Sequence, residues 1–355
     1  MAPTEPLPDT ADLLLRLEAA LRERVGLLER LHEEQTDCYR LFHGAVEGAP
    51  GLTVDRYGPL LLVQTFRSPL PEGALDAMHG AVQAALGVPL LPVWNHRGGA
   101  RSAKDFDNFH EADAAAAAFH VGQECGARFA VRGRHRGLDP LHFLDFRVVR
   151  RWLREHAAGA DVLNLFAYTC TAGVAAAVGG ASRVLDVDFA ASALDVGARN
   201  ARLNGLAGDA IERLQSDYFV AARQLAGLPV KGRAARRRRW MRVQPRQFDI
   251  TVLDPPTFAR SPFGTVDLVR DYPSVLKPAL LATRPGGTLI ASNHVSTVSW
   301  EDWTRGVRRS ADKAGRPIAD VQRLMPELDF PSPDGRPPLK VALLRLSEEP
   351  GPRPR

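Results

Sequence analysis

Cysteine is scarce: three residues, Cys38, Cys125 and Cys170, lie far apart in a chain of 355 with no CxxC spacing. That excludes a disulfide framework and a cysteine-based zinc site, and leaves the three as small buried hydrophobes, with no metal expected. Long apolar runs are missing too. No stretch approaches the roughly 20 residues that a membrane helix needs. The opening MAPTEPLPDT lacks both the basic region and the apolar core of a signal peptide, so a cytoplasmic location without a membrane partner is expected. Glycine is absent where nucleotide-phosphate motifs require it: there is no GxGxxG turn and no Gly-Lys-Ser/Thr loop, which argues against dinucleotide enzymes and P-loop NTPases. No internal repeat is apparent.

What remains is a globular composition, 45% hydrophobic, enough for one large core and a smaller second one. The net charge of +5 is unevenly placed. Segment 231–246 (KGRAARRRRWMRVQPR), from Lys231 to Arg246, holds one Lys, seven Arg and no acid, so the rest of the chain carries −3. A local basic stripe suits a polyanion such as RNA; a solvated loop of incidental charge is the competing interpretation.

The pattern of apolar residues divides the chain as follows. Residues 10–33 read as an amphipathic helix, within an N-terminal segment 1–37. Short apolar runs broken by Gly and Pro, CYRLFHG, PGLTVDRYG and LLLVQTF, read as a small sheet, followed by a helix over 72–86 and a strand over 90–94. These form a small β-rich α+β module, 38–118, in which 95–111 is a polar loop and 113–118 is helix or linker. From 119 to 348 a second domain is expected, with 349–355 as a tail. It starts with a hairpin over 119–131 and a helix within 141–156. Then come strands at 162–166, 184–187, 211–215, 248–253 and 287–292, and two more near 321–324 and 339–346. The helices between them cover 190–204, 218–226, 268–283 and 300–313. Strands alternating with helices of this length call for an α/β, doubly wound, mostly parallel sheet with right-handed crossovers.

In such a sheet the chemistry sits at the carboxyl ends of strands. Strand 162–166 runs into a small-residue turn bearing Gly173. The strand at 184–187 ends at Asp188, that at 211–215 precedes Asp217, and that at 248–253 ends at Asp254. Asp188 suits the two hydroxyls of a ribose and Asp217 an adenine amino group, although any one of these acids would also serve as an ordinary cap. A turn with Thr169, Cys170, Thr171 and Ala172 where glycines would admit a pyrophosphate favours a phosphate-free nucleoside such as S-adenosylmethionine. The sharpest signal is FDITVLDPPTF. Each proline fixes its own φ and restrains the residue before it, so Asp254, Pro255, Pro256 and Phe258 form a rigid ledge that can offer carbonyls and an aromatic face to a flat base.

Taken together PGLTVDRYG, FLDFR, VLNLFAYTCTAG, VDFAASAL with ARLNGL, FDITVLDPPTF and RPGGTLIASNH resemble class I S-adenosylmethionine-dependent methyltransferases of the bacterial large-subunit rRNA type, over residues 38–346. The resemblance implies a Rossmann-like, seven-stranded domain behind the small N-terminal module. It also implies a cofactor site in which Asn164, Phe166, Tyr168, Thr169 and Gly173 hold the methionine part. In it Asp188 takes the ribose, Phe189 packs on adenine, Asp217 lies on the adenine side, and Asp145 and Arg147 close the site, Arg147 against the cofactor carboxylate. Relatives that methylate cytosine C5 carry a thiol in an SCS segment. That place here reads Ser292, Asn293, His294, which disfavours covalent catalysis. DPPTF with SN is closer to the guanine-N7 half of the bifunctional K/L enzyme, although its THUMP module is missing and Cys170 replaces the more usual glycine. The expected reaction is therefore direct transfer to a ring nitrogen such as guanine N7 of ribosomal RNA, without a general base. Asp254, Pro255, Pro256 and Phe258 would position a base splayed out of its stack, Asn293 would bond its far side, and His294 is a weaker acid-base candidate. The alternatives are a methyltransferase of a small molecule or protein, a cytosine-C5 enzyme with an unusual cysteine, and a catalytically silent RNA-binding or assembly protein on this fold.

Overall fold

In the computed structural model, which describes residues 6–98, 114–135, 139–231, 240–349 and 351, the chain divides into two units. One comprises Met1–Arg147 with Glu327–Arg336, the other Val148–Pro326 with Pro337–Arg355. Among the described residues no helix is long and apolar enough to cross a membrane.

In the first unit, leucines four apart (Leu13, Leu17, Leu21) bury one face of α1 (Thr10–Glu23), whose start is capped by the Asp9 carboxylate accepting from the Asp12 N–H. Leu28 and Leu31 extend the stripe along α2 (Val25–Glu33). The single helix expected over 10–33 is thus two. Arg24 stands between them with its guanidinium buried, donating to the Ala20 carbonyl and, at 2.6 Å, to Glu47. These leucines pack on a four-stranded sheet in the order β1 (Cys38–Phe42), β2 (Leu52–Tyr57), β3 (Leu60–Thr65), β4 (Leu91–His96). Its last pair is parallel, as the intervening helix α3 (Ala74–Leu86) requires. Asn95 and His96, expected in a loop, end β4: Asn95 donates to the Gly133 carbonyl and His96 Nδ1 meets the Thr65 hydroxyl, each at 2.8 Å. Residues 99–113 lie outside the described residues.

A short α4 (Ala114–Ala117) leads to the hairpin β5 (His120–Glu124) and β6 (Ala127–Val131). This hairpin belongs to the first unit, so the boundary expected at 118 falls at 147. The reason is a set of close backbone links: the Asp37 N–H donates to the Gln123 carbonyl at 2.9 Å while the Asp37 carboxylate accepts from the Gln123 N–H at 2.6 Å. Residues 327–336 return to the same unit through Asp329, which is fully buried. Asp329 accepts from the Arg40 N–H at 3.0 Å and from the buried Arg147 guanidinium, which also donates to Glu327 at 2.9 Å and the Cys38 carbonyl at 2.8 Å.

The second unit begins with α5 (Arg147–His156), which straddles the division. The alternating elements follow: β7 (Asp161–Leu165), α6 (Thr171–Val178), β8 (Arg183–Asp188), α7 (Ala191–Leu203), β9 (Ile211–Gln215), α8 (Tyr218–Leu225) and β10 (Phe248–Leu253). After a small hairpin, β11 (Phe258–Ser261) with β12 (Gly264–Asp267), come α9 (Tyr272–Ala282), β13 (Thr283–Asn293), α10 (Trp300–Lys313), β14 (Ile318–Leu324) and β15 (Lys340–Leu346). The seven-stranded sheet has the order β14-β15-β13-β10-β7-β8-β9, parallel except for β15, which runs against both neighbours. This is the doubly wound, mostly parallel sheet that the alternation of strands and helices predicts, with the seven strands that the resemblance to class I methyltransferases implies. Two details differ. The helix expected from 268 starts at Tyr272, because 258–267 form the hairpin; and β13 starts four residues before Gly287, across an irregular register beside Gly286.

Chain order reverses at β7: its neighbours are β8 on one side and β10 on the other. The carboxyl ends of these three strands therefore frame the crevice where a ligand of such a sheet binds. The opposite edge is closed by charge. Asp161, first in β7, accepts from Arg183 at 2.8 Å and Arg284 at 3.0 Å; Arg284 also donates to Asp249, and Arg246 stands 3.8 Å from Asp161.

Candidate functional site at the strand switch point

The turn after β7 is built without glycine. Phe166, Tyr168 and Cys170 all take positive φ, 59°, 47° and 60°, a region where a Cβ costs roughly 1 kcal/mol or more per residue. What holds the turn there is visible in its partners. The Ala167 N–H donates to the Val187 carbonyl, and the Tyr168 N–H to Asp188 Oδ2 at 2.8 Å. Asn200 of α7 donates to the Thr169 carbonyl at 2.9 Å, and the Phe166 ring stacks on Tyr218 at 4.4 Å. Cys170 sits just before α6 and is fully buried, with burial pushing its thiol well above the usual range. Such a thiol is a poor nucleophile.

Asp188 ends β8. Its second oxygen accepts from the Ala190 N–H at 2.9 Å, so each carboxylate oxygen spends one lone pair on the backbone and keeps others for a ligand. Two fixed acceptors side by side match the two O–H donors of a vicinal diol. Phe189, next to it, is 73% exposed, an apolar ring with nothing over it among the described residues and open to stacking. Asp217 caps α8, one oxygen accepting from the Phe219 and Val220 N–H groups at 2.8 and 3.3 Å. On this evidence the residues present fit a nucleoside lying along the ends of β8 and β9.

Beneath the turn lies a residue that sequence reasoning missed. Asp186, two before Asp188, is fully buried; its Oδ1 accepts from the Asn164 amide at 2.7 Å, while Oδ2 has no conventional partner among the described residues. Gly173 is explained by it, since a Cβ there would stand 2.2 Å from Oδ1. Burial drives the Asp186 carboxyl up to about 7, against the pull of Asn164, Cys170 and Arg213 and helped by Asp188. A folded pKa above the unfolded 3.8 means stability that is complete below about pH 4 and lost as pH rises to about 7, on the order of 4 kcal/mol. Thermal melts from pH 5 to 8 should therefore show a decline that Asp186→Asn flattens. An unchanged slope in that variant would place its origin elsewhere.

Asp254 follows directly on strand β10. Its Oδ1 accepts from the Ser292 hydroxyl at the end of β13, and His294 Nε2 lies 2.8 Å from the same oxygen. The Tyr272 hydroxyl fixes the Ser292 carbonyl at 2.9 Å. Pro255 is buried, Pro256 exposed, and the Phe258 ring is 53% exposed. Asn293, expected at the far side of a bound base, is corrected by its burial. Its side chain is wholly inside, the oxygen accepting from the Val295 N–H at 2.8 Å and the nitrogen without a partner among the described residues. In its place Ser292 and His294 meet Asp254.

Asp145 and Arg147 belong to the first unit. The expected pairing of Arg147 with a cofactor carboxylate is opposed by its three protein acceptors, Glu327, Asp329 and the Cys38 carbonyl, which surround a guanidinium with no exposed surface. Of the basic segment, 232–239 lie outside the described residues. Arg246, at its end, is committed to Asp161 and to the Phe248 ring.

A family model described as S-adenosylmethionine-dependent methyltransferase matches residues 39–345. Among solved structures, a candidate methyltransferase complexed with SAH superposes with a TM-score of 0.73 at 23% identity, covering 97% of this chain and 83% of that one. A candidate SAM-dependent methyltransferase from Streptococcus mutans gives 0.71 at 22%, over 97% and 83%. One from Agrobacterium tumefaciens gives 0.55 at 20%, over 84% and 88%. At these identities the structures are likenesses of fold.

Proposed function

Because the chain belongs to the S-adenosylmethionine-dependent methyltransferase family, we propose that it methylates a ring nitrogen of a base in RNA, with guanine N7 of large-subunit ribosomal RNA as the acceptor. Bound at the switch point, the cofactor supplies an electrophilic methyl group. The chain's own part is positioning. Asp188 takes the ribose hydroxyls, Phe189 covers the adenine, and the second oxygen of Asp217 is left for its amino group. The turn over 166–170 with Asn164 and Gly173 behind it receives the methionine end.

The observation that carries the acceptor is the exposed Phe258 ring four residues beyond Asp254, on a ledge whose other members are held. A side chain of that size left half open at the end of a buried central strand suits stacking against a flat ring. Asp254, fixed by Ser292 and His294, and the carbonyls of Pro255 and Pro256 can then orient the base edge. A ring nitrogen with a free lone pair needs an in-line approach and no proton acceptor. Direct transfer is also favoured by the cysteine content: the end of β13 carries Ser292, Asn293 and His294, and Cys170 is buried with its thiol raised. RNA as substrate rests on the Arg-rich segment 231–246, since a base must be splayed out to reach such a ledge and its backbone held by charge.

The test is methyl transfer from labelled cofactor to total ribosomal RNA, to protein and to a metabolite pool. The expected outcome is label in RNA, at a guanine that becomes sensitive to the strand cleavage diagnostic of N7 alkylation. Label confined to protein or metabolites would overturn the RNA assignment. A trapped adduct with 5-fluorocytosine RNA would replace direct transfer by a thiol mechanism.

A further inference from the structure

The hairpin formed by β11 and β12 has no part in the core sheet and leaves the site within four residues of Asp254. Its pairing runs Phe258 with Asp267, Arg260 with Thr265 and Ser261 with Gly264. One side faces inward: Val266 is buried, Ala259 packs on the main core, and a Cβ at Gly264 would stand 2.5 Å from the Phe219 ring. The other side carries Phe258, Arg260 and Thr265, all exposed, and the half-buried Asp267 opposite Phe258. The Arg260 guanidinium lies 5.1 Å from the centre of the Phe258 ring, and Arg270 is exposed just beyond β12.

The electrostatics of this face are unlike those of the opposite edge. There Arg183, Arg284 and Arg246 share Asp161, and Arg284 also holds Asp249. Arg260 and Arg270, by contrast, have no carboxylate within ion-pair distance among the described residues. The acids nearest in sequence each turn one oxygen to the backbone. Asp267 accepts from the Val269 and Arg270 N–H groups at 3.1 and 3.0 Å, and Asp271 from the Ser274 N–H at 3.2 Å. At the tip of the hairpin the Phe263 ring meets Trp240 edge-on at 6.0 Å. Trp240 is the residue at which the run of arginines in the sequence ends.

We propose that the outer face of this hairpin beside Phe258, with Arg260, Thr265 and Arg270, is the docking surface for the single-stranded RNA that flanks the target nucleotide. The proposal rests on the RNA reading given above and adds the element that holds the strand. An arginine stacked on an aromatic ring and free of a carboxylate offers both things such a strand presents. Its plane accepts a stacked base, and its N–H groups donate to phosphate oxygens. Arg270 supplies a second phosphate contact. The hairpin starts where the ledge ends, so the strand is gripped one or two nucleotides from the base being methylated.

The experiment measures binding of a labelled mixed-sequence single-stranded RNA by anisotropy across a salt series, for the full chain and for the double variant R260A/R270A. Cofactor affinity by calorimetry serves as the control for folding and is expected to stay at the wild-type value. Loss of two phosphate contacts should flatten the slope of log K against log salt by about 1.4 and weaken binding at least tenfold, with KM for RNA raised and kcat retained. R260K, which keeps charge but loses the flat stack, should recover the salt slope and only part of the affinity. Wild-type RNA binding with unchanged affinity and slope in the double variant overturns the hairpin surface alone. Absence of RNA binding in the wild type overturns the RNA reading, and this proposal with it. Equal displacement of the RNA by poly-glutamate at matched charge would also overturn it, since a polyanion without bases should not satisfy the stack.

Discussion

Replacing Asp188 by Ala should weaken binding of S-adenosylmethionine by a hundredfold to ten-thousandfold, as read by isothermal titration. The carboxylate is proposed to accept from both ribose hydroxyls, and hydrogen bonds to a charged group contribute about 1.5–3 kcal/mol each, so both together correspond to about 3–6 kcal/mol. A second effect adds to it. Asp188 also holds the Tyr168 N–H at 2.8 Å, one of the few contacts keeping the strained turn in shape. Its loss frees three residues to relax out of positive φ. Asp188→Asn, which keeps the volume and one acceptor, should fall between wild type and Ala. Titration of the Ala variant with an unchanged dissociation constant would remove Asp188 from the cofactor site.

Asp254→Ala should leave cofactor affinity near the wild-type value and lower kcat for methyl transfer roughly a hundredfold, the scale of a reacting partner left misplaced by about 1 Å. Asp254 gathers two donors, the Ser292 hydroxyl and His294 Nε2, onto one oxygen, and its side chain is only 25% exposed. Removing it therefore takes a shared partner from two side chains at once on the face where the base is proposed to lie. Single-turnover rates with saturating cofactor separate this from a binding defect. Equal losses in cofactor affinity and rate would show that Asp254 supports the cofactor rather than the acceptor.

The order of elements was legible because the apolar runs in the second unit are short, most are followed by a helical period, and those at 184–187, 211–215 and 248–253 run into an acid. That is how Asp188, Asp217 and Asp254 could be placed at strand ends. What was hidden is what depends on where side chains point. Asp186 lies inside an apolar run and looks like an outward strand position, yet it is buried against Asn164. Asn293 and Arg147 occupy promising motif positions but are turned into the protein, Arg147 toward an acid 182 residues away in sequence, which no local pattern discloses. The hairpin escaped notice because its strands are four residues each, too short for alternation to register, and Leu268 and Val269 read as the start of a helix. The break at Arg24 was hidden because the leucine stripe continues across it.

The distance between Arg147 and Asp329 bears on synthesis as well. A ribosome adding 5–20 residues per second needs roughly 10–35 s to traverse that interval, so the first unit emerges early but lacks the acids that neutralise its most deeply enclosed guanidinium. Until residues 327–336 arrive, Arg147 must stay hydrated and the module around it cannot close. Completion of the amino-terminal unit is thereby tied to translation of the segment between the last two strands of the seven-stranded sheet.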